Sequence, residues 1–204
     1  MPAPVTEFIL SASSAVEDLV YLNFEQHNPS LLDILGTSSL KRLSCGLSTD
    51  IFESVAHIDF SRPLFSHITH LELFDEMHVV DVDIWSNLAL VPCLTHLRLW
   101  SPSLALILSR TCNSLRVLMV IRQPFEEASE TELRELAQDP RFVQMTCPEF
   151  VKDWQMGALT GVDYWSQGIS SRSGSRAKSI VFSILLKKAR VPTTHTVSAT
   201  TGKI

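Results

Sequence analysis

Apolar residues recur in one short frame along this chain. Residues 68–73 read Ile-Thr-His-Leu-Glu-Leu, and residues 94–99, which begin 26 positions later, read Leu-Thr-His-Leu-Arg-Leu. Both copies follow the frame apolar-x-x-Leu-x-Leu, and each is followed by an aromatic residue, Phe74 or Trp100. A Thr-His-Leu-x-Leu match at a spacing of roughly 20 to 30 residues is typical of a stacked repeat with one strand in each unit.

Further copies of the frame extend this repeat in both directions. The frame begins at residues 19, 40, 68, 94 and 115, which gives unit lengths of 21, 28, 26 and 21 residues. These lengths lie within the range of leucine-rich repeats. Another match begins at Val55, only 13 residues before Ile68, and we interpret it as a short extra strand or as a chance match inside one long unit.

Helix signals lie between the strand segments. Helices are predicted to start near Pro29 and at Asp83, and two more at Pro102 and Ser129, because a proline or a capping side chain stands at each start. Residues 139–145 predict a last strand. The sequence therefore predicts an α/β fold, a leucine-rich-repeat-like stack in which parallel strands alternate with helices. The stack is irregular because no Asn or Cys stands at the usual capping position after each frame.

The chain divides by composition into a domain and a tail. Residues 1–165 are predicted to form the repeat domain, with a C-terminal cap near residues 139–165. The aromatic residues of this cap are assigned to its core rather than to a ligand cage, and they are Trp154, Tyr164 and Trp165. Residues 166–204 are rich in Ser and Thr and carry seven basic residues and no acidic one, so we expect a disordered tail. A surface helix on anionic lipid and a basic localisation patch are the alternatives for this tail.

Charge and apolar run length exclude several classes of protein. The net charge of −5 argues against a nucleic-acid partner, which requires a basic surface. No apolar run approaches the ~18 residues of a membrane span, and the N-terminus does not resemble a secretory signal. We therefore expect an intracellular protein, cytoplasmic or nuclear. The cysteines match no zinc pattern and are predicted to be buried free thiols; they are Cys45, Cys93, Cys112 and Cys147.

No motif with a known catalytic or cofactor-binding chemistry occurs. Gly-x-Ser-x-Gly, a phosphate-binding glycine loop and His-Glu-x-x-His are all absent from the sequence, so we expect a protein that is not an enzyme and that uses no cofactor or metal. His67 and His70 are interpreted as surface histidines rather than metal ligands. The acidic residues 75–83 lack the glycine of a calcium loop and are interpreted as a solvated connection.

The predicted parallel sheet presents one face away from the helices. In a curved stack this face is the usual partner surface, although a merely solvated face is the alternative. The candidate residues on it are Thr69, His70, Glu72, Thr95, His96, Arg98, Arg116, Val117 and Met119.

Five segments resemble one particular family. Residues 64–75, 90–97, 112–118, 139–143 and 153–158 are similar to the leucine-rich-repeat-like half of F-box-type proteins, which are numerous in mushroom-forming fungi. The resemblance covers residues 16 to 166 and implies capture of a substrate protein for a ubiquitin ligase through the repeat face. An F-box-like Leu-Pro-x-Glu-Leu segment does not precede the repeats, so we expect a truncated relative.

Three functional hypotheses follow from these patterns. The first is a non-enzymatic protein-binding module with an unknown protein partner, and ubiquitin ligase components are the partners that the resemblance implies. The second is an α/β enzyme whose motif is not recognisable, which would require a doubly wound sheet with a pocket at its strand ends. The third is a degenerate fragment without independent activity.

Overall fold

The computed structural model describes residues 16–21, 29–121, 130–146, 157, 160, 163–165 and 180–181. Within these ranges, parallel strands form one sheet whose spatial order equals their order in the chain. The strands are β1 (Asp18–Val20), β2 (Arg42–Cys45), β3 (His70–Leu73), β4 (His96–Leu99), β5 (Val117–Ile121), β6 (Phe142–Thr146) and the two-residue β7 (Ile180–Val181).

Helical segments connect successive strands. The α-helices are α1 (Pro29–Gly36), α2 (Val82–Ser86), α3 (Pro102–Thr111) and α4 (Glu130–Leu136). Shorter segments complete the connections; they are a π-helical turn (Leu47–Ile51) and the 3-10 helices Val55–His57, Pro63–Phe65, Val79–Asp81 and Asn87–Leu90. The predicted fold class, parallel strands alternating with helices in an irregular stack, is confirmed.

The register of the sheet explains the repeated pentapeptide. His70 lies opposite His96, and Leu71 lies opposite Leu97, so the two Thr-His-Leu-x-Leu copies are neighbours in register. Because side chains alternate along a strand, one row of each copy must face the helices. That row is Leu43, Leu71, Leu97 and Leu118, and it is buried with the apolar residues of all four α-helices in one core cluster.

All four α-helices therefore cover the same face of the sheet. The strand order runs from β1 to β7 without reversal. A doubly wound sheet has helices on both faces and a reversal in strand order, with the ligand site at that reversal. The described part of the chain lacks this reversal in strand order, which the enzyme hypothesis requires.

The helix starts agree with the sequence to different degrees. Pro102 occupies the first turn of α3, and the Ser101 hydroxyl accepts a hydrogen bond from the Leu104 amide at 3.3 Å, as predicted for a capped start. The predicted cap at Asp83 is wrong. The helix α2 begins at Val82, and residues 87–90 continue as a 3-10 helix rather than as the same α-helix.

The structure also decides two strand predictions, the frame match at Val55 and the last strand. The frame match at Val55 is a chance match, because Val55–His57 forms a 3-10 helix with no buried residue. The predicted last strand is confirmed as β6.

Of the predicted disordered tail, the structure describes only Ile180 and Val181, which pair with Met145 and Thr146 of β6. The rest of that prediction, and the predicted cap residues 147–156, lie outside the described residues.

Candidate functional site

The face of the sheet opposite the four α-helices, which we call the outer face, carries most of the polar side chains of the strands. Two rows of residues form it, because neighbouring strands place equivalent positions side by side. One row is Asp18, Arg42, His70, His96 and Val117, and the next is Val20, Ser44, Glu72, Arg98, Met119 and Val143. The first row therefore contains two histidines and an Asp–Arg pair, and the second contains the Glu72–Arg98 pair.

A segment from the C-terminal part of the chain covers the outer face. Tyr164 and Trp165 are only 1% and 4% exposed, and they form a second apolar cluster with Met119 and Val143, separate from the helix-side core. Both aromatic residues are buried, as predicted, but they pack on the outer face of the sheet, whereas Trp154 lies outside the described residues. The outer face is therefore occupied by residues 163–165 of the same chain.

Glu72 and Arg98 form an ion pair at the centre of the outer face. They are neighbours in register on β3 and β4, and each is only 1% exposed. The Glu72 carboxylate also accepts hydrogen bonds from the Ser44 hydroxyl at 2.9 Å and from the Tyr164 hydroxyl at 2.6 Å. A buried charge pair is tolerated when its charges are paired and further stabilised, and the two hydroxyl hydrogen bonds supply this for the Glu72 carboxylate.

Aromatic rings surround the positive member of this pair. The guanidinium carbon of Arg98 lies 5.1 Å from the ring centroid of Tyr164, 5.4 Å from that of Trp100 and 6.0 Å from that of Phe74. A guanidinium within about 6 Å of a ring centroid is attracted by the negative ring face. The aromatic residue that follows each frame copy therefore has a role: it helps to hold the buried Arg98 charge.

The two repeated histidines stack on one another. The rings of His70 and His96 are 4.0 Å apart with an interplanar angle of 10°. Their Nδ1 atoms lie 2.9 Å from the Thr69 hydroxyl and 2.8 Å from the Thr95 hydroxyl, respectively. Trp165 meets both rings edge-on, at centroid distances of 5.4 and 5.6 Å. The repeated Thr-His dipeptide thus builds a two-ring platform on which Trp165 rests.

This platform should make stability depend on pH. The pKa of His70 is lowered from 6.5 to about 3, chiefly by burial and then by the positive charges of His96 and Arg42, while Asp163 acts in the opposite direction. The unfolded chain therefore takes up a proton between pH 6.5 and 3 that the folded chain does not. We expect stability to be complete above pH 6.5 and to fall by about 1 to 3 kcal/mol through this window, after a discount for solvent screening.

Urea denaturation of the wild type and of the His70→Phe variant at pH 7.5 and 4.5 measures this effect. Phenylalanine keeps a flat ring that can stack on His96 and meet Trp165 edge-on, but it has no proton to gain, so the variant should lose less stability between the two pH values. Equal losses in the two proteins would contradict the assignment to His70.

Arg42 is a site residue that the sequence reasoning missed. It forms ion pairs with Asp163 and, at 3.8 Å, with Asp18. Arg42 lies opposite His70 in the register, because it occupies the equivalent position in the frame copy that begins at residue 40. Alignment of the frame copies alone would have placed it on the outer face.

The structure divides the predicted partner residues into two groups. Six of them lie within strands, on the face that Tyr164 and Trp165 cover; they are His70, Glu72, His96, Arg98, Val117 and Met119. The others each precede a strand by one position and form what we call the amino-end rim; they are Thr69, Thr95 and Arg116. The two threonines are half-buried and Arg116 is exposed. Arg116 is therefore the exposed residue of the predicted set, while His70 is half-buried like the two threonines.

No family model, curated protein or solved structure matches this chain.

Metal ligands do not cluster in the described ranges. No three His, Cys, Asp or Glu residues lie close enough there to hold a metal ion. Cys45 and Cys112 are buried free thiols, as predicted, but Cys93 is exposed, and Cys147 lies outside the described residues. None of the described helices combines the length and apolar composition needed to cross a membrane.

One member of the predicted solvated acidic connection is in fact buried. Asp75 is 2% exposed and accepts hydrogen bonds from the amides of Leu47 at 2.7 Å and Ser48 at 2.6 Å. Burial raises the pKa of Asp75, although these hydrogen bonds oppose the change. The prediction of a solvated residue is wrong at this position, because the carboxylate satisfies the first amides of the π-helical turn after β2.

A shallow cavity of about 310 Å³ lies between α1 and the 3-10 helix Pro63–Phe65. Its lining is mainly apolar, and its ionisable lining residues are Asp33 and Arg62. One carboxylate and one guanidinium on an open surface do not form a nucleophile and base arrangement. The cavity therefore supports no catalytic function.

Proposed function

We propose that this protein is a non-enzymatic binding module that captures a protein partner through the outer face and its amino-end rim. The observation that carries the proposal is the outer face itself. On that face the repeat places polar and aromatic side chains in register across β2, β3 and β4, opposite a wholly apolar row on the helix side. The need for a stable core is enough to explain the apolar row. It does not explain the polar row, whose composition is that of a recognition surface.

The spacing of the rows suits a segment of chain that lies across the strands. Neighbouring strands are about 4.8 Å apart, so Arg42, His70 and His96 offer one contact at each strand step. A peptide that crosses the strands would meet a guanidinium and then two imidazoles in turn. Residues 163–165 already lie on part of this surface, with Tyr164 and Trp165 in a helical conformation, which supports the ability of the surface to hold a short segment of chain.

A partner can first bind at the amino-end rim without contacting the residues that lie beneath Tyr164 and Trp165. Arg116 is exposed one position before β5, next to Thr95, whose carbonyl accepts a hydrogen bond from the Arg116 amide at 2.7 Å. Lys41 occupies the equivalent exposed position before β2, where it forms an ion pair with Glu17 at 2.7 Å. Exposed cations at a rim chiefly raise the rate of encounter with an acidic partner and bias its orientation.

The finer part of the proposal is the class of partner. The resemblance to F-box-type receptors implies substrate capture for a ubiquitin ligase. Affinity purification followed by mass spectrometry tests this part separately, because ligase adaptor subunits should be recovered together with the captured protein. Recovery of partners without any ligase component would retain the binding function and remove the ligase role.

Charge reversal at the rim tests the binding function. We expect Arg116→Glu to reduce recovery of the main captured protein about fivefold, which corresponds to about 1 kcal/mol. The matched control is Arg134→Glu on α4, because Arg134 is also exposed but lies on the helix side of the sheet. Equal recovery by the two variants, with melting temperatures unchanged, would contradict use of the rim.

A further inference from the structure

The contacts of residues 163–165 indicate what kind of segment the outer face accepts. Asp163 pairs with Arg42, and the Tyr164 hydroxyl donates to Glu72 at 2.6 Å. The next residue, Trp165, meets the His70 ring edge-on at 5.4 Å. Each of three consecutive side chains thus contacts a different chemical group. The Asp163 carboxylate contacts a guanidinium, the Tyr164 phenol contacts a carboxylate, and the Trp165 indole contacts the imidazole stack.

We propose that residues 163–165 are an internal ligand of the outer face, and that the partner displaces them with a segment of the same chemistry, an acidic residue followed by two aromatic residues. This inference rests on the proposed binding function and adds to it the class of partner and the way in which access is regulated. The face is closed when the internal segment is bound and open when it leaves.

The two apolar clusters make such a release physically reasonable. Tyr164 and Trp165 belong to the small outer cluster, whereas the leucine row and the helices form the separate main core. Departure of the segment leaves the main core intact. The Glu72–Arg98 ion pair and the His70–His96 stack also remain, because both join neighbouring strands. Release of the segment is therefore a local opening and not a global unfolding.

Gly157 sets the path of the segment. A Cβ atom at this position would overlap the Cβ of Asp163, so the segment can lie where it does only because residue 157 has no side chain. The Gly157→Ala variant should therefore displace the segment without altering any side chain on the outer face. This gives an opened protein for a binding measurement.

The probe is a fluorescein-labelled peptide of residues 160–168, Thr-Gly-Val-Asp-Tyr-Trp-Ser-Gln-Gly, measured by fluorescence anisotropy against the full chain. We expect Gly157→Ala to bind it at least about tenfold more tightly than the wild type, because the internal competitor no longer occupies the face. Addition of Arg42→Glu, or use of a peptide with Asp163→Lys and Trp165→Ala, should abolish the gain. No gain on a folded Gly157→Ala protein overturns the proposal.

If the Gly157→Ala variant fails to fold, hydrogen exchange on the wild-type chain tests whether residues 163–165 can leave the outer face. The amides of Tyr164 and Trp165 should exchange by a local opening, at least about tenfold faster than those of Leu71 and Leu97. Exchange of all four amides by the same global opening would mean that the segment is a fixed part of the core and would overturn the proposal. Neither measurement involves a partner, so a negative result leaves the Arg116 test of the binding function unaffected.

Discussion

Replacement of Arg98 by methionine is expected to lower the free energy of unfolding by about 3 to 5 kcal/mol, the largest loss for any single change on the outer face. Glu72 and Arg98 are each 1% exposed, so removal of the guanidinium leaves a carboxylate without its opposite charge in a site that water does not reach. The melting temperature should fall by about 10 °C for a chain of this length. Urea and thermal denaturation measure both quantities.

The double variant Glu72→Gln/Arg98→Met is the control for this prediction. Glutamine keeps an acceptor for the Ser44 and Tyr164 hydroxyls but carries no charge, so the double variant should recover more than half of the lost stability. A loss below about 1 kcal/mol for Arg98→Met alone would show that the pair is accessible to solvent and is not held beneath Tyr164.

Truncation of Leu97 to alanine is expected to cost about 3 kcal/mol. Leu97 is 0% exposed in β4, and its neighbours in register are Leu71 and Leu118. The loss combines the transfer of the leucine side chain with the cavity that the rigid sheet leaves behind. Chemical denaturation of the variant at neutral pH gives the value directly.

Leu90 provides the matched control for Leu97. It is 65% exposed at the end of the 3-10 helix Asn87–Leu90, so Leu90→Ala should change stability by less than about 0.5 kcal/mol. Similar losses for the two variants would contradict the assignment of the leucine row to the main core.

Much of the sheet could be predicted from the sequence because the residue pattern that specifies the strands is local and periodic. The two Thr-His-Leu-x-Leu copies occupy equivalent positions in β3 and β4, and side-chain alternation then determines which residues face the helices. The match at Val55 shows the limit of this reasoning. Three apolar positions in a frame of six do not distinguish a strand from a 3-10 helix followed by buried Ile58 and Phe60.

The covering of the outer face could not be predicted in the same way. The hydrogen bond between Tyr164 and Glu72 joins residues that are 92 positions apart, and no periodic pattern relates them. The sequence indicated that Tyr164 and Trp165 are buried, because aromatic residues are expected in a cap, but not the face on which they pack. Asp75 was misjudged for a related reason, since the amides that bind it belong to the turn that begins at Leu47, 28 positions earlier.

The position of Trp165 decides whether the outer face is covered as described. Its ring lies edge-on to the rings of His70 and His96, at centroid distances of 5.4 and 5.6 Å. A nuclear Overhauser experiment on the full wild-type chain, with labelled histidine, measures this proximity directly. We predict cross-peaks between the Trp165 indole protons and the imidazole protons of both histidines. Absence of these cross-peaks, together with an indole that is open to solvent, would contradict the packing of residues 163–165 on the outer face.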